Sequence, residues 1–168
     1  MKKSNPVPPY MKILFNKLYN NKVLSGICDD ERIVKLGSFG LKKKIMTDLL
    51  RDIAKNAHVL QIGLTFGDEL ELIYQKVRKH GKIDVFDISD LQIERAKEKY
   101  ARKNIEIVNY NATMSWDEKY DVVICYNLLH ELPLITRQKV MDNVLNSLAT
   151  GGKAVFIDYA KPVWWQIV

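Results

Sequence analysis

The sequence has little cysteine and no long apolar run, and both scarcities narrow the class of protein. Its two cysteines, Cys28 and Cys125, match neither a disulfide framework nor a paired metal-binding motif. Apolar runs such as residues 122–125 are far shorter than the roughly 20 residues that a membrane helix needs. The first residues, MKKSNPVPPY, lack the apolar stretch of a secretory signal. We therefore expect a protein of the reducing cytoplasm.

Basic residues are concentrated at one end of the chain. Residues 1–56 hold 12 of the 26 Lys and Arg residues but only 5 of the 20 Asp and Glu residues. A solvated helical face explains this excess, and so does contact with anionic lipid headgroups. Nucleic acid is disfavoured, because no stacking platform or recognition motif accompanies the charge. We expect residues 1–56 to form a helical, basic cover segment, with peripheral membrane contact as an alternative role, and residues 57–168 to form an α/β domain.

The pattern from residue 58 onward is typical of a parallel sheet, because short β-branched runs alternate with helical stretches. It predicts five strands, at His58–Ile62, Ile83–Asp87, Ile105–Tyr110, Tyr120–Tyr126 and Lys153–Asp158. We expect a doubly wound, mostly parallel sheet with the strand order 3-2-1-4-5. Two further helices are predicted upstream, over Tyr10–Tyr19 and Leu41–Ala54.

Capping residues indicate where the later helices begin and end. Ser89 is expected to cap a helix, with Gln92 reaching back to it as a capping box. A second helix is predicted after Pro133, and Thr150–Gly152 are expected to end it, because glycine tolerates the left-handed cap conformation. The predicted apolar stripe of this helix is Met141, Val144, Leu145 and Leu148.

Candidate binding residues follow the first two strands, where open parallel sheets bind ligands. In the turn VLQIGLTFGDE, Gly63 would let the backbone turn tightly beside a ligand, and Gly67 would let the next helix pack closely. Asp87 ends the second strand, where a carboxylate can accept hydrogen bonds from both hydroxyls of a ribose. The pair predicts a site for a nucleoside-containing ligand.

Further candidates follow the third and fourth strands. At Asn111 and Ala112, an amide side chain or a backbone N–H could recognise adenine. His130 is a candidate general base or metal ligand, and it could equally orient the loop after the fourth strand. Glu131 could join it as a ligand or cap the helix near Pro133. These residues would place ionisable groups beside the reacting centre.

The order of these motifs, together with LATGGKAVFIDY, resembles the class I S-adenosylmethionine-dependent methyltransferases over residues 58–160. VLQIGLTFGDE, LLHELP and DYAKP are most similar to the RquA-like rhodoquinone-biosynthesis proteins and related ubiquinone-pathway methyltransferases. The resemblance implies a Rossmann-like, S-adenosylmethionine-dependent transferase with His130 and Glu131 as catalytic residues. The cofactor-binding residues that it implies are Gln61, Gly63, Thr65, Gly67, Asp87, Ile88, Asn111, Ala112 and Asn127.

RquA-like proteins imply unusual chemistry, in which S-adenosylmethionine donates an amino group to ubiquinone with the help of a divalent metal such as manganese. Gln61 stands where the methyltransferases usually have an acid, and its neutral amide would weaken the hold on a cationic cofactor. The expected acceptor is small, apolar and quinone-like. Ordinary methyl transfer to a small molecule is one alternative, and a non-catalytic or truncated cofactor-binding module is another.

The resemblance also implies an antiparallel hairpin after the fifth strand. The sequence continues there only as KPVWWQIV. We therefore expect a sheet without that hairpin, either because the chain is truncated or because Trp164, Trp165 or a partner subunit covers the edge.

Overall fold

The computed structural model of the chain describes residues 41–64, 68–77, 80–101 and 104–158. Within these ranges the helices are α1 (Leu41–Arg51), α2 (Glu69–Val77), α3 (Asp90–Lys99) and α4 (Leu134–Asn146). The strands are β1 (His58–Ile62), β2 (Lys82–Asp87), β3 (Ile105–Asn109), β4 (Tyr120–Tyr126) and β5 (Leu148–Ile157). A 3-10 turn, Leu129–Glu131, follows β4. The helix predicted at Tyr10–Tyr19, Cys28, and the tryptophans Trp164 and Trp165 lie outside the described residues.

All five strands are parallel and form one sheet in the order β3-β2-β1-β4-β5, as predicted. The strand β1 lies at the centre, where Val59 is aligned with Ile83 of β2 and with Val122 of β4. Parallel strands present their carboxyl ends at one edge of a sheet. The residues that follow β1, β2 and β4 are therefore brought together, as the site prediction requires.

Helices cover both faces of the sheet, which gives the doubly wound, Rossmann-like α/β class. One face packs against α1, α2 and α3 through a buried cluster that includes Met46, Ile73 and Ile93. The other face packs against α4, where Val140 and Val144 meet Leu60 and other strand residues. Burial of apolar surface on both faces explains why the strands read as nearly continuous apolar runs.

The predicted role of Thr150–Gly152 as the end of the last helix is wrong. The helix α4 ends at Asn146, and β5 begins at Leu148, five residues before the predicted start at Lys153. The glycines lie inside β5 at a register shift, where Gly151 has a φ of 78°. Glycine is needed there because a Cβ on Gly152 would lie 2.8 Å from the Tyr120 carbonyl oxygen.

The predicted stripe of α4 is also partly wrong. Val144 is fully buried as expected, but Leu145 is 54% exposed and Leu148 belongs to β5. Val140 takes the buried position one turn before Val144. The buried face of α4 is therefore narrower than the apolar stripe predicted from the sequence.

Ser89 caps α3 as predicted, but the reciprocal half of the capping box does not form. The Ser89 hydroxyl accepts a hydrogen bond from the Gln92 backbone N–H at 3.4 Å. The Ser89 N–H donates instead to Asp87 Oδ1 at 2.7 Å, and Gln92 Nε2 is buried with no hydrogen-bond partner. The backbone N–H of Ser89 therefore bonds to the Asp87 side chain at the end of β2, and not to Gln92 as a capping box requires.

The helix α1 begins where predicted, at Leu41, and ends at Arg51 rather than Ala54. The sequence predicts Ile45, Leu49 and Ile53 on its inward face. Ile53 is 3% exposed and Leu49 packs against the core cluster, as predicted, but Ile45 is only half-buried, and Met46, at 1% exposed, is more deeply buried than any of these three. In the part of the chain that the structure describes, no helix combines the length and the apolar character needed to cross a membrane. The domain division after residue 56 and the membrane contact of the basic segment stay predictions.

A buried polar cluster lies at the amino-terminal edge of the sheet, opposite the candidate site. Asp84 of β2 is 5% exposed, and its Oδ2 lies 2.8 Å from His58 Nε2 and 3.3 Å from Lys82 Nζ. Burial and the nearby Asp84 carboxylate raise the pKa of the Tyr120 hydroxyl. The His58 ring packs on Tyr120 with centroids 4.5 Å apart. Asp84 therefore ties β1, β2 and β4 together.

We expect Asp84→Ala to lower the free energy of unfolding by about 3 kcal/mol, because the buried Tyr120 hydroxyl and the partly buried His58 ring lose their carboxylate partner. Glu106→Ala is the matched control, since Glu106 is also near Lys82, at 3.7 Å, but its side chain is 64% exposed. The control should change stability by no more than about 0.5 kcal/mol. Urea unfolding measures both variants, and equal effects would contradict the assigned role of Asp84.

Candidate active site

Gly63 forms the tight turn that the sequence predicts at the end of β1. It has a φ of 90°, a conformation that residues with a side chain rarely adopt. Its N–H donates to the Phe86 carbonyl oxygen at 2.9 Å, and a Cβ would lie 3.4 Å from the Tyr126 carbonyl oxygen. The backbone turn is therefore held between the ends of β2 and β4. Thr65 and Gly67, the other candidates in this turn, lie outside the described residues.

Asp87 faces this turn from the end of β2. Its Oδ2 accepts a hydrogen bond from the Leu64 N–H at 2.6 Å, and its Oδ1 accepts one from the Ser89 N–H at 2.7 Å. Each carboxylate oxygen can accept a further bond, so both oxygens remain able to receive hydroxyl donors. Ile88, the next candidate, is half-buried and packs against the core cluster beneath α4. The geometry fits recognition of a ribose at this position.

The electrostatics of Asp87 are unusual for a carboxylate. Burial raises its pKa to about 6, although backbone N–H donors, including that of Leu64, act in the opposite direction. The negative charge of Glu131 raises the pKa further, which places Glu131 within electrostatic reach across the site. The free protein thus holds a carboxylate that is ready for partners that donate hydrogen bonds.

This raised pKa predicts opposite pH dependences for stability and for cofactor binding. The folded pKa lies above the ordinary value of 3.8, so Asp87 stabilises the free protein below about pH 4, and this contribution is lost as the pH rises through 6. Ribose hydroxyls need an acceptor, so affinity for a nucleoside cofactor should fall about tenfold per unit below pH 6. Melting temperatures from pH 5 to 8, with and without S-adenosylmethionine, measure both effects. Asp87→Asn should abolish them, and unchanged profiles in that variant would contradict this assignment.

Gln61 lies beneath the turn and is 1% exposed. Its Nε2 donates to the Gly63 carbonyl oxygen at 2.9 Å, while its Oε1 is buried with no hydrogen-bond partner. A carboxylate could not make this donation, so the neutral amide supports the turn in a way that the usual acid cannot. The unpartnered Oε1 is an acceptor that a cofactor amino group could satisfy.

The loop after β3 carries Asn111 and Ala112, and its shape depends on side chains. Asn111 Oδ1 accepts hydrogen bonds from the Thr113 N–H at 3.0 Å and the Thr113 hydroxyl at 2.8 Å. The predicted use of this amide for adenine is therefore restricted to its nitrogen. Asn143 of α4 donates from Nδ2 to the Ala112 carbonyl oxygen at 2.9 Å, which fixes the buried Ala112 against the helix.

The loop after β4 starts at Asn127, which has a φ of 49°. Asparagine tolerates this left-handed conformation better than most residues. Its N–H donates to the Ile157 carbonyl oxygen at 2.7 Å, so the turn is tied to the end of β5. The chain then enters the turn Leu129–Glu131, which carries both predicted catalytic residues.

His130 and Glu131 are neighbours in the chain, their catalytic roles stay predictions, and a third ionisable residue lies beside them. Asp158, directly after β5, lies with Oδ1 2.6 Å from His130 Nδ1 and accepts the His130 backbone N–H on Oδ2 at 3.0 Å. On the other side of the ring, His130 Nε2 lies 3.9 Å from Glu131 Oε1. The imidazole is thus flanked by two carboxylates at the mouth of the site.

Sequence reasoning missed two residues that hold these loops, namely Asn143 and Asp158, and it predicted Arg137, which also holds them, to be a surface residue. Arg137 donates from Nε to the Leu132 carbonyl oxygen at 2.7 Å and from Nη2 to the His130 carbonyl oxygen at 3.4 Å. All three depend on contacts between elements that are distant in the chain or on loop geometry, which periodicity does not reveal. The position of Asp158 at a strand end was the one signal that could have drawn attention to it.

The described residues offer no metal centre. Across residues 41–64, 68–77, 80–101 and 104–158, no three His, Cys, Asp or Glu side chains are grouped so that they could hold a metal ion. The described part of the chain therefore gives no support to the manganese ion that the RquA-like resemblance implied.

Comparison with known proteins identifies the family to which the chain belongs. Residues 59–152, more than half of the chain, match the family described as "Methyltransferase domain". The chain belongs to this methyltransferase-domain family. A search of curated proteins found no match.

Solved structures with the same fold include complexes with S-adenosylmethionine or its product. The chain is 25% identical to the N-methyltransferase NodS from Bradyrhizobium japonicum WM9 in complex with S-adenosyl-L-homocysteine, with a TM-score of 0.56 over 68% of this chain and 60% of NodS. An O-methyltransferase from a trans-AT PKS multienzyme of Brevibacillus brevis has 18% identity and a TM-score of 0.61, over 79% of this chain and 46% of that one. The DhpI-SAM-HEP complex has 16% identity and a TM-score of 0.62, over 80% and 61%. The chain thus spans about half to three-fifths of these proteins.

Proposed function

We propose that the protein binds S-adenosylmethionine at the carboxyl edge of its sheet and catalyses methyl transfer to a small-molecule acceptor. The observation that carries the proposal is Asp87, whose carboxylate faces the Gly63 turn in a chain of the methyltransferase-domain family. Two of the neighbours with the same fold are named as N- and O-methyltransferases with bound S-adenosyl-L-homocysteine. These names support methyl transfer over amino transfer.

The candidate residues that the structure describes each have a defined task in this proposal. Asp87 accepts hydrogen bonds from the ribose hydroxyls, and Gly63 allows the backbone to approach the ligand. Ile88, Asn111 and Ala112 bound the adenine position. Gln61 and Asn127 lie beside the aminobutyrate end of the cofactor, where Gln61 Oε1 can accept a hydrogen bond from the amino group. S-adenosylmethionine, when bound, supplies an electrophilic methyl group.

His130 acts as the general base in this proposal. It lies on the turn after β4, beside the site, with carboxylates on both sides of its ring. A base within hydrogen-bond reach of an acceptor hydroxyl or amine contributes about 10²–10⁴ in rate. The Glu131 carboxylate stabilises the ring after it takes the proton.

Exposed apolar residues around the mouth favour an apolar acceptor. Leu134 is 79% exposed and Ile135 is 75% exposed, and both lie at the start of α4, directly after the turn that carries His130. Met114, on the loop after β3, is 48% exposed. Such side chains favour binding of an apolar ring at the site, because contact between the apolar surfaces removes both from water. A phenol or hydroquinone satisfies both the apolar mouth and the need for an ionisable group.

Amino transfer to a quinone is the second candidate. It is favoured by Gln61, because a neutral residue beside the aminobutyrate end could present that end to the acceptor. It ranks below methyl transfer, because the neighbours with the same fold are named as N- and O-methyltransferases. A non-catalytic binding module remains the third possibility to be tested.

Two labelled forms of S-adenosylmethionine separate these functions. One carries a radiolabelled methyl group and the other a nitrogen-15 amino group, and each is incubated with catechol, a short-tailed ubiquinol, the corresponding ubiquinone and phenethylamine, with and without manganese. Methyl label in a product is the expected result. Nitrogen label in the quinone would establish amination, and binding without transfer of either label would leave a binding module.

A further inference from the structure

We infer that Asp158 is a positioning residue that holds His130 in the tautomer needed for proton abstraction. The inference rests on the methyl-transfer function proposed above. Two contacts join Asp158 to His130, at 2.6 Å to the ring and 3.0 Å to the backbone N–H.

The chemistry of a carboxylate determines which ring nitrogen carries the proton. An ionised carboxylate only accepts hydrogen bonds, so His130 Nδ1 must be the donor to Asp158 Oδ1. In the neutral ring the lone pair then resides on Nε2. Nε2 lies on the side of Glu131, at 3.9 Å from Oε1, whereas Nδ1 is directed to β5. Asp158 thus selects the nitrogen that serves as the base.

The backbone contact fixes the ring position as well as its tautomer. Asp158 Oδ2 accepts the His130 N–H, so one carboxylate binds both the main chain and the side chain of the same residue. The neighbouring bond from the Asn127 N–H to the Ile157 carbonyl oxygen, at 2.7 Å, joins the same two strand ends. The end of β5 therefore sets where the base lies relative to the loop after β4.

The proton and electron balance of the step is complete without a further reagent. The acceptor's oxygen or nitrogen forms a bond to the methyl carbon, and the carbon–sulfur bond breaks with its electron pair left on sulfur. The acceptor's proton goes to His130 Nε2. The resulting imidazolium donates toward carboxylates on both sides, Asp158 and Glu131, and later loses the proton to water.

The test uses nitrogen-15 spectra of histidine-labelled full-length protein at alkaline pH, where imidazole rings are neutral. The chain has three histidines, so three rings are observed. We expect His130 to be in the Nδ1–H form in the wild type and to lose this preference in Asp158→Ala. His58 is an internal control, because its ring contacts Asp84 at the opposite edge of the sheet and should not change.

Activity provides the second readout. With the acceptor that gives methyl label in the wild type, Asp158→Ala should lower kcat by about 10- to 100-fold, with the affinity for S-adenosylmethionine unchanged within about twofold. Asp158→Asn should also lose activity, because an amide has one oxygen for two N–H donors. Asp142→Ala is the matched control, since Asp142 is exposed on α4 and contacts Gln138 at 3.0 Å.

A mixed tautomer in the wild type, an unchanged tautomer in Asp158→Ala, or full activity in that variant would each overturn the inference. Absence of label transfer to any acceptor by the wild type would count against the proposed function instead. In that case the spectra alone decide whether Asp158 positions His130.

Discussion

Asp87→Ala should weaken binding of S-adenosylmethionine by about 100-fold or more. The variant removes the carboxylate that lies 2.6 Å from the Leu64 N–H of the glycine turn and that accepts the ribose hydroxyls in the proposed complex. Hydrogen bonds to a charged group contribute about 1.5–3 kcal/mol each, so the loss of two is measurable by calorimetry. Asp87→Asn keeps one oxygen and should retain an intermediate affinity.

The matched control for this variant is Asp90→Ala, three residues further along. Asp90 is also an aspartate next to the site, but it is exposed and its Oδ1 accepts a hydrogen bond from Asn109 Nδ2 at 2.7 Å. We expect the affinity of Asp90→Ala for S-adenosylmethionine to stay within about twofold of the wild-type value. Equal losses in the two variants would point to a general disturbance of the loop and would contradict ribose recognition by Asp87.

His130→Ala should lower kcat for methyl transfer by about 10²–10⁴-fold, because the acceptor loses the base that takes its proton. The dissociation constant of S-adenosylmethionine should change little, since His130 lies on the turn after β4 and not at the Gly63 turn. Steady-state kinetics with the labelled methyl donor measure the first quantity, and calorimetry measures the second.

His80→Ala provides the control, because His80 is exposed and lies before β2, at the opposite edge of the sheet. Its kcat should match that of the wild type. A loss in His130→Ala that disappears when the acceptor is supplied already deprotonated would strengthen the assignment. A kcat unchanged in His130→Ala would remove the general base from the mechanism.

The central sheet could be predicted from the sequence because its strands are apolar on both faces. The strands β1 and β4 begin and end at the predicted residues, and the strand order is as expected. Long apolar runs separated by helical periodicity leave few other ways to build a parallel sheet. The same regularity placed Asp87 and His130 at one edge of the sheet.

Local sequence signals were misleading where tertiary contacts decide the backbone. Gly151 and Gly152 read as the end of a helix, but they form an irregularity in β5 where the strand passes the Tyr120 carbonyl oxygen. Leu145 matched the helical period, yet α4 turns it to solvent. For the glycines, the deciding neighbour, Tyr120, is distant in sequence.

The hydrogen bonds within the site could not be predicted from the sequence either. The expected donor Asn111 uses its side-chain oxygen to shape its own loop, and Ser89 donates its N–H to Asp87 rather than to Gln92. Asp158 meets His130 only because β5 lies next to β4 in the sheet. The first two contacts follow from local loop geometry and the third from the pairing of β5 with β4, and the residue pattern does not reveal which side-chain atoms meet.

Titration of the wild-type protein with S-adenosylmethionine by calorimetry, at pH 7.5 and again at pH 5, tests the central claim most directly. We expect saturable binding to one site at the higher pH and about tenfold weaker binding at the lower pH, because Asp87, with its pKa raised to about 6, must be ionised to accept the ribose hydroxyls. Absence of binding at both pH values would contradict the proposal that the edge formed by Gly63 and Asp87 is a cofactor site.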